Sequence, residues 1–340
     1  MNSQRNDGVS RRQFLTTAAV AGASVLFGSP SELLAAEPPP ETQRIRLVRD
    51  PSVCLAPLYV AEDLLRQEGF RDISYPAIEQ GRSNSALLAS GKADFGMDAA
   101  PALIMGLDAG ERFTILAGVH AGCYELFASV RIRTIRDLKG ATIAITQERD
   151  DRHAFVASFL THVGLNPRTD VKWVTHPAEV AMRFLEEGKI DAFLGFAPEP
   201  QELRARKIGH SLLSILTDRP WSQYFCCLLI GSRDFVRKHP VATRRAMRAI
   251  LKANAICAAE PERVNKLLVD KGYVTKPRFA LQALREIPYA RWREFEPADT
   301  LRFYSLRLRE GGMIKSSPDK IITEGANFRF LDELKKELKA

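Results

Sequence analysis

The chain has 340 residues, of which 45% are apolar and 26% charged, with 21 glycines and 19 prolines. This balance is typical of a globular protein and excludes a fibrous, disordered or disulfide-scaffold chain. The formal net charge is +8, but the basic residues are dispersed and no basic run is interleaved with aromatic residues, so no nucleic-acid partner is predicted. No stretch reaches the ~20 apolar residues that a membrane-spanning helix needs.

The first 36 residues are predicted to be an export signal. Two adjacent arginines, Arg11 and Arg12, precede a short apolar run that is rich in Ala, Gly and Thr. This order is typical of a twin-arginine signal peptide, with cleavage expected after Ala36. Residues 37–43 contain three consecutive prolines and are predicted to form a stiff linker. The mature protein is therefore expected in the periplasm.

Short apolar strands alternate with helical segments from residue 44 onward. Helices of about ten residues between strands of about five indicate a doubly wound α/β sheet. We expect residues 44–130 to form the first part of lobe I. The elements predicted there, in chain order and starting with a strand, are Ile45–Val48, Pro57–Gln67, Ile73–Ile78, Ser83–Ser90, Ala93–Met97, Pro101–Ala109 and Phe113–Val119.

A second lobe with the same alternation is predicted over residues 131–222. Its elements, again starting with a strand, are Ala141–Thr146, Arg152–Val163, Val171–Val174, Pro177–Glu187 and Ile190–Phe196. Over 223–340 the chain is expected to return to lobe I through one strand and to end in a block of helices. That part comprises the strand Tyr224–Gly231 and the helices Val241–Ala258, Pro261–Val269, Pro277–Ile287 and Ala298–Arg309. The predicted fold class is α/β, with two lobes, parallel or mixed sheets and a C-terminal helical block.

Ligands in such folds bind beyond the carboxyl ends of the strands, where helices begin. Helix N-termini present unpaired N–H groups and a partial positive charge, so a small organic anion is the predicted ligand. The candidate ligand-binding residues are those of the turns that follow the strands: Cys54, Leu55, Gln80, Gly81, Arg82, Ser83, Asn84, Asp98, Ala99, His120, Gln147, Arg149, His153, His176, Phe196 and Glu199.

The turn over residues 80–84 is the strongest of these candidates. Gly81 permits a close backbone approach, and Arg82 offers a planar charged fork to an anion. In the alternative interpretation, Ser83 only caps the following helix and Arg82 is solvated. Asp98 is open in the same way, since it either caps the next helix or accepts a hydrogen bond from an amino group of the ligand.

Signatures of catalysis and of metal binding are weak. Ser85 stands where a nucleophile elbow requires glycine, and no phosphate-binding loop is present. His120 and Cys123 offer only two metal ligands, which is too few for a site. We therefore predict no catalytic residue, no metal and no cofactor.

The five cysteines are predicted to be buried, unpaired and small apolar residues of the core. Cys226 and Cys227 are neighbours, and on a strand their side chains would point to opposite faces, which makes them poor partners for each other. The complete set is Cys54, Cys123, Cys226, Cys227 and Cys257.

The order of several motifs resembles a known family. The segments that carry the resemblance are APLYVA over 56–61, ALLASGKADFG over 86–96, TIRDLKG over 134–140, and residues 177–200 and 226–240. Together they resemble the substrate-binding proteins of nitrate, sulfonate and taurine ABC importers, a group that includes thiamine-pyrimidine-synthase-like proteins. The resemblance implies a type 2 periplasmic binding protein with a two-strand hinge and a small molecule in the cleft.

The function that follows from the resemblance is the solute-binding component of an ABC importer. Its ligand would be a sulfonate, taurine, nitrate or a carboxylate, and its partner an inner-membrane permease. We expect a monomer without enzymatic activity that closes its two lobes around the ligand. A pyrimidine-synthase-like enzyme and a periplasmic solute sensor on the same fold are the alternatives.

Overall fold

The computed structural model describes residues 37–78 and 83–338. The predicted export signal and its cleavage site at Ala36 lie outside the described residues. Pro40–Ala340 form one compact unit, and the following concerns that unit. Within the described ranges, no helix combines the length and the apolar character that crossing a membrane would require.

The first sheet has five strands, which come from two separate parts of the chain. It consists of the pair β2-β1 and the three strands β3-β10-β4, which a parallel bridge between Leu47, directly after β1, and Phe95 of β3 connects. The return strand β10 lies antiparallel between β3 and β4. Both β4 and β10 are buried at every position, as their continuous apolar runs predict. The strands are β1 (Arg44–Arg46), β2 (Asp72–Ser74), β3 (Phe95–Ala99), β4 (Phe113–His120) and β10 (Cys227–Ser232).

The second sheet also has five strands, in the order β7-β6-β8-β5-β9. β6 is parallel to β7 and β8, whereas β5 is antiparallel to β8 and β9. The predicted fold class, with two lobes and mixed sheets, is confirmed. The strands are β5 (Tyr124–Ala128), β6 (Thr142–Ile145), β7 (Lys172–Thr175), β8 (Ala192–Phe196) and β9 (His210–Ser214).

The position of β5 corrects the predicted end of lobe I at residue 130. The chain leaves the first sheet after His120, and Tyr124–Ala128 already pairs in the second sheet. Nothing in the apolar sequence of this run distinguishes a further strand of the first sheet from a strand of the second sheet.

Helices cover both sheets and form the C-terminal block. Proline stands in the first turn of each helix from α9 to α13, where its fixed φ suits the helix and its missing N–H costs nothing. The predicted helix Pro57–Gln67 is divided at Ala61 into α1 and α2. The helices are α1 (Ala56–Val60), α2 (Glu62–Gln67), α3 (Asn84–Ala89), α4 (Ala100–Asp108), α5 (Asp151–His162), α6 (Ala178–Glu186), α7 (Glu199–Arg206), α8 (Arg233–Lys238), α9 (Pro240–Ala259), α10 (Pro261–Asp270), α11 (Pro277–Glu286), α12 (Pro297–Glu310), α13 (Pro318–Gly325) and α14 (Arg329–Glu337).

The C-terminal block contacts both lobes, whereas the sequence predicted only a return to lobe I. Helix α12 lies against α4 of the first lobe and against α5 of the second lobe. Its Tyr304 meets Phe155 of α5 edge to face, with ring centroids 5.5 Å apart. Helix α11 reaches the second lobe through Glu286, which accepts hydrogen bonds from Gln201 and Arg204. The C-terminal helices therefore contact the first lobe and the second lobe through aromatic and charged side chains.

Gly122 lies where the chain first crosses between the sheets, and its conformation requires glycine. Its φ is +62°, and an added Cβ would lie 2.7 Å from the Cα of Leu216 in the second crossing. Gly122→Ala is therefore expected to lower the free energy of unfolding by about 2–3 kcal/mol, because the cost of a left-handed alanine and the cost of the backbone clash are added together. Urea denaturation measures the loss.

Gly140→Ala is the matched control for the crossing glycine. Gly140 has a similar φ of +79°, but no atom lies within 4 Å of its Cβ position. We expect this variant to lose only the conformational contribution, about 1–2 kcal/mol. Equal losses in the two variants would show that the two crossings are not in close contact.

Candidate ligand-binding cleft

A cavity of about 630 Å³ lies between the two lobes. Its described wall in the first lobe contains Asp50, which follows β1, and Asp98, which lies near the carboxyl end of β3. The start of α3 and one face of α4 also form part of this wall. Residues 147–151, which follow β6, form its wall in the second lobe. The cavity therefore lies at the carboxyl ends of strands, and its volume suits a small solute.

Carboxyl groups dominate the described lining of this cleft. Arg149 is the one basic side chain among the described lining residues. Its side chain is exposed, and its guanidinium donates a hydrogen bond to the Met313 carbonyl at 3.3 Å. The acidic lining residues are Asp50, Asp98, Glu111, Glu148, Asp150 and Asp151.

Three of these carboxyls, two from the first lobe and one from the second, are coupled through the cavity. Burial raises the pKa of Asp50, and the charge of Asp151 across the cleft raises it further. Burial also raises the pKa of Asp98 well above its usual range, and Asp151 and Asp50 add to that rise. The pKa of Asp151 itself is raised by burial, although its neighbour Arg152 opposes the shift. Negative charge on these carboxyls is therefore disfavoured.

Asn84 adds a further hydrogen-bond acceptor to the first-lobe wall. Its Nδ2 donates to the Asp50 carboxylate at 3.1 Å and to the Met97 carbonyl at 2.9 Å. Its Oδ1 is buried and has no hydrogen-bond partner among the described residues. Because a buried acceptor without a donor costs about 1–3 kcal/mol, this oxygen favours a ligand that donates.

Ser83 has the capping role that was one of its two predicted alternatives. Its Oγ accepts a hydrogen bond from the Ala86 backbone N–H at 3.1 Å and begins α3. The residue also lines the cleft. Asp98 was also predicted to have one of two roles. Its carboxylate accepts a hydrogen bond from the Ala99 backbone N–H at 2.8 Å, and it lines the cavity as well.

The second-lobe wall is a turn that Asp150 holds together. The Asp150 carboxylate accepts from the backbone N–H groups of Gln147 and His153, both at 2.8 Å, and from the Thr146 hydroxyl. Arg149 is in the left-handed region at φ +62°, which is uncommon for a residue with a side chain. Its N–H donates to the Nδ1 of His153 at 3.0 Å.

His153 supports this turn and does not line the described cleft, contrary to prediction. Burial lowers the pKa of its imidazole to about 4. The ring is therefore neutral at physiological pH, and its Nδ1 is free to accept the hydrogen bond from Arg149. The other face of the ring lies against Trp173, with centroids 4.4 Å apart.

Seven more residues that were predicted to bind the ligand are not part of the described cleft lining. Glu199 forms an ion pair with Arg152 inside the second lobe, and the ring of Phe196 lies against Tyr124. The His176 ring meets the Phe184 ring edge to face. The remaining four are buried in the first lobe and the crossing: Cys54, Leu55, Ala99 and His120. Ala99 and His120 end β3 and β4, and Cys54 and Leu55 come after β1, but all four side chains are buried in the core.

The predicted residues that do line the described cleft are Ser83, Asn84, Asp98, Gln147 and Arg149. Gln80, Gly81 and Arg82 lie outside the described residues, so their roles stay predictions. Asp50 and Asp151 were missed. Asp50 follows the predicted strand Ile45–Val48 just as Asp98 follows the predicted strand Ala93–Met97, so the same rule identifies it. Asp151 was interpreted as a residue that suits any helix start.

Five buried side chains meet beneath the cleft, and we call them the hinge thiol cluster: Cys54, His120, Cys123, Cys226 and Cys227. The Cys227 Sγ lies 3.9 Å from the Cys123 Sγ and 3.8 Å from the Cys226 Sγ. Cys226 and Cys227 are thus close together, because the chain enters β10 only at Cys227. All five cysteines are free, as predicted.

Cys227 and His120 form the polar part of the hinge thiol cluster. Hydrogen bonding with the Cys123 and Cys226 sulfurs, together with the neighbouring imidazole, holds the pKa of Cys227 well below its usual range. Burial alone would lower the pKa of His120, but the Cys227 sulfur and two backbone carbonyls raise it.

A protein-family model described as NMT1/THI5 like matches residues 55–264. Among curated proteins, the bicarbonate-binding protein CmpA of Synechococcus elongatus is 26% identical over 125 residues, which are 36% of this chain and 27% of CmpA. The match therefore spans about a quarter of the length of the curated relatives.

Three solved structures illustrate the similarity in fold. The nitrate-binding protein NrtA of Synechocystis PCC 6803 has a TM-score of 0.71 at 14% identity, over 89% of this chain and 90% of NrtA. The alkanesulfonate-binding protein SsuA of Xanthomonas axonopodis pv. citri, bound to MOPS, has a TM-score of 0.63 at 18% identity, over 83% and 96%. The desulfurization enzyme DszB has a TM-score of 0.56 at 14% identity, over 86% and 99%.

Proposed function

The chain belongs to the NMT1/THI5-like family, and from that premise we propose that it is the solute-binding component of an ABC importer. Its fold is that of periplasmic binding proteins such as NrtA and SsuA. We further propose that its ligand is a small solute with a cationic or amine group, which binds between the lobes. Export through the twin-arginine pathway, a periplasmic location, a permease partner and a monomeric state are parts of the same proposal.

The observation that carries the ligand class is the set of acceptors in the cleft. Asp50, Asp98 and Asn84 of the first lobe face Asp151 of the second lobe, and each offers oxygen atoms. A protonated amine donates up to three hydrogen bonds, and each bond to a charged group contributes about 1.5–3 kcal/mol. Such a group would satisfy the Asn84 oxygen and neutralise the buried carboxylates.

The same arrangement supports closure of the lobes by the ligand. Without a ligand, the charge on Asp151 opposes charge on Asp50 and Asp98 across the cavity. A cation held between them converts this repulsion into attraction from both sides. A ligand shifts a conformational equilibrium only by its differential affinity for the two states, and here the closed state brings the carboxyls of both lobes to the ligand.

The proposed ligand class departs from the anion that the sequence predicted. That prediction rested on helix N-termini and on basic residues of the turns. Of these, Arg82 lies outside the described residues, and Arg149 is exposed and bonded to the Met313 carbonyl. NrtA, CmpA and SsuA bind anions according to their names. We infer that the acidic lining gives this chain a different ligand.

We propose binding without catalysis, although DszB has the same fold and is an enzyme. The described lining of the cleft contains no lysine, histidine or cysteine, so neither a nucleophile nor a general base of those types faces the cavity. A sensor would use the same binding step and would differ only in its membrane partner.

A thermal-shift screen of the mature chain tests the proposal. The panel contains solutes that share one carbon skeleton and end in an ammonium, a carboxylate or a sulfonate group, together with nitrate and taurine. A true ligand at 100 times its Kd stabilises the protein by ~2.7 kcal/mol, and we expect this from an ammonium-bearing member. A shift from anions only would contradict the ligand class, and no shift from any member would contradict solute binding.

A further inference from the structure

We propose that the hinge thiol cluster binds one thiophilic metal ion, of the Zn²⁺ or Cu⁺ class, through Cys54, His120, Cys123 and Cys227. The ligand atoms of the first three lie within 4.8 Å of one another. Cys227 is the fourth ligand of the proposal, since its Sγ lies 3.9 Å from the Cys123 Sγ and it shares a second group of close sulfurs with Cys123 and Cys226. In a tetrahedral site with metal–sulfur bonds of about 2.3 Å, two sulfurs are about 3.8 Å apart. The Cys123–Cys227 sulfur distance of 3.9 Å matches this sulfur–sulfur distance.

The chemistry of the donors selects the class of ion. Thiolate sulfur and imidazole nitrogen are the ligands that Zn²⁺ and Cu⁺ prefer, whereas Mg²⁺ and Ca²⁺ need oxygen. Every residue of the cluster is at least 93% buried, with Cys123 the most exposed at 7%. A closed site of this kind is typical of structural metal centres.

His120 already has the outer contact that metal-binding histidines use. Its Nε2 lies 3.2 Å from the Cys54 carbonyl, and its Nδ1 lies 3.3 Å from the Ala121 carbonyl. When one ring nitrogen binds the ion, the other donates its N–H to the remaining carbonyl and fixes the ring.

The four ligands come from four separate segments, which explains why their spacing in the sequence gave no signal. Cys54 precedes α1, His120 ends β4, Cys123 lies in the first crossing, and Cys227 begins β10 after the second crossing. A bound ion would tie both crossings of the hinge to the first lobe. No residue of the cluster lines the described cleft, so the proposed ion and the proposed solute occupy separate sites.

The test is metal binding by the full chain, purified under reducing and anaerobic conditions. Elemental analysis gives the ion retained from cells, and titration of the metal-free chain with Co²⁺ reports tetrahedral thiolate ligation through its visible absorption. A Cu⁺ titration against a competing chelator separates the two ions. We expect one ion per chain, with tetrahedral Co²⁺ bands or with Cu⁺ bound in the same stoichiometry.

Two variants and a matched control decide the site. Cys123→Ser and Cys227→Ser are each expected to weaken metal affinity by at least about tenfold. Cys257→Ser should leave it unchanged, because Cys257 is a buried cysteine in α9 outside the cluster. Using both cluster variants covers the case that one does not fold.

Three results would overturn the metal site. The first is a wild-type chain that binds neither Co²⁺ nor Cu⁺. The second is a loss of affinity in Cys257→Ser equal to that in the cluster variants. The third is a Cys123–Cys227 disulfide in freshly purified, metal-free chain. None of these outcomes depends on whether the cleft binds a solute.

Discussion

Arg152→Met is expected to lower the free energy of unfolding by about 3–5 kcal/mol, because it leaves a carboxylate unpaired inside the second lobe. The Arg152 guanidinium forms two hydrogen bonds to Glu199, at 2.7 and 3.0 Å, and one to the Leu194 carbonyl at 2.5 Å. It also lies over the Phe193 ring, 5.1 Å from the centroid. Its side chain is 8% exposed, so water cannot replace these partners. Urea denaturation at neutral pH measures the effect.

Two further variants distinguish the loss of stability caused by a buried unpaired charge from that caused by removing any surface charge. Arg285→Met removes an exposed pair with Glu262, whose side chains are 58% and 61% exposed, and is expected to cost at most ~1 kcal/mol. Adding Glu199→Met to Arg152→Met should recover much of the loss, since an apolar pair leaves no buried charge. If Arg152→Met were no more destabilising than Arg285→Met, the ion pair would not support the lobe.

The second large effect is expected in the cleft, from neutralising one carboxyl in each lobe. Asp98→Asn and Asp151→Asn should each weaken binding of the ammonium-bearing solute by roughly tenfold to a hundredfold, the equivalent of a charge-assisted hydrogen bond of ~1.5–3 kcal/mol. Calorimetric titration measures the affinities. Glu148→Gln is the control, since Glu148 is an exposed carboxyl of the same lining, and we expect little change. Unchanged affinity in both Asp variants would remove these carboxyls from the site.

The same carboxyls determine how the unliganded protein responds to pH. Burial raises the pKa of Asp98 and Asp151 in the folded state above the unfolded value of about 3.9. Their contribution to stability is therefore fully present below that unfolded pKa and is lost as the pH rises through the folded pKa. At pH 8 the Asn variants should be more stable than the wild type without a ligand, and this difference should shrink as the pH falls.

Affinity for a cation should change with pH in the opposite direction to stability. As the pH falls, protonation of Asp98 and Asp151 removes the charge that attracts an ammonium group, so wild-type affinity should fall. Titrations at pH 8 and pH 5 check this. Affinity that increases at the lower pH would instead indicate an anionic ligand.

The arrangement of strands could be predicted from the sequence where apolar runs alternate with helical periods, as in β3, α4 and β4. The cleft followed from the rule that ligands bind beyond strand ends, which identified Asn84, Asp98 and Arg149. The rule does not give the direction of a side chain after the strand. Phe196 and His120 end strands β8 and β4, yet their rings lie against other aromatic rings.

Other features could not be predicted because they depend on residues that are distant in the chain. Glu199 was a candidate ligand residue, but its partner Arg152 is 47 positions away and takes its carboxylate. The hinge thiol cluster joins Cys123 to Cys227 across 104 positions. Strand β5 follows β4 after three residues, and only pairing with β8 assigns it to the second sheet.

The central claim is that a cation-bearing solute closes the two lobes by contacting acidic groups on both. Small-angle X-ray scattering of the mature chain measures this directly, with and without the solute that gives the largest thermal shift. We predict that the radius of gyration decreases when the solute is added to the wild type and stays constant in the Asp98→Asn, Asp151→Asn double variant. A wild-type radius of gyration that stays constant while calorimetry shows the solute bound would contradict the account.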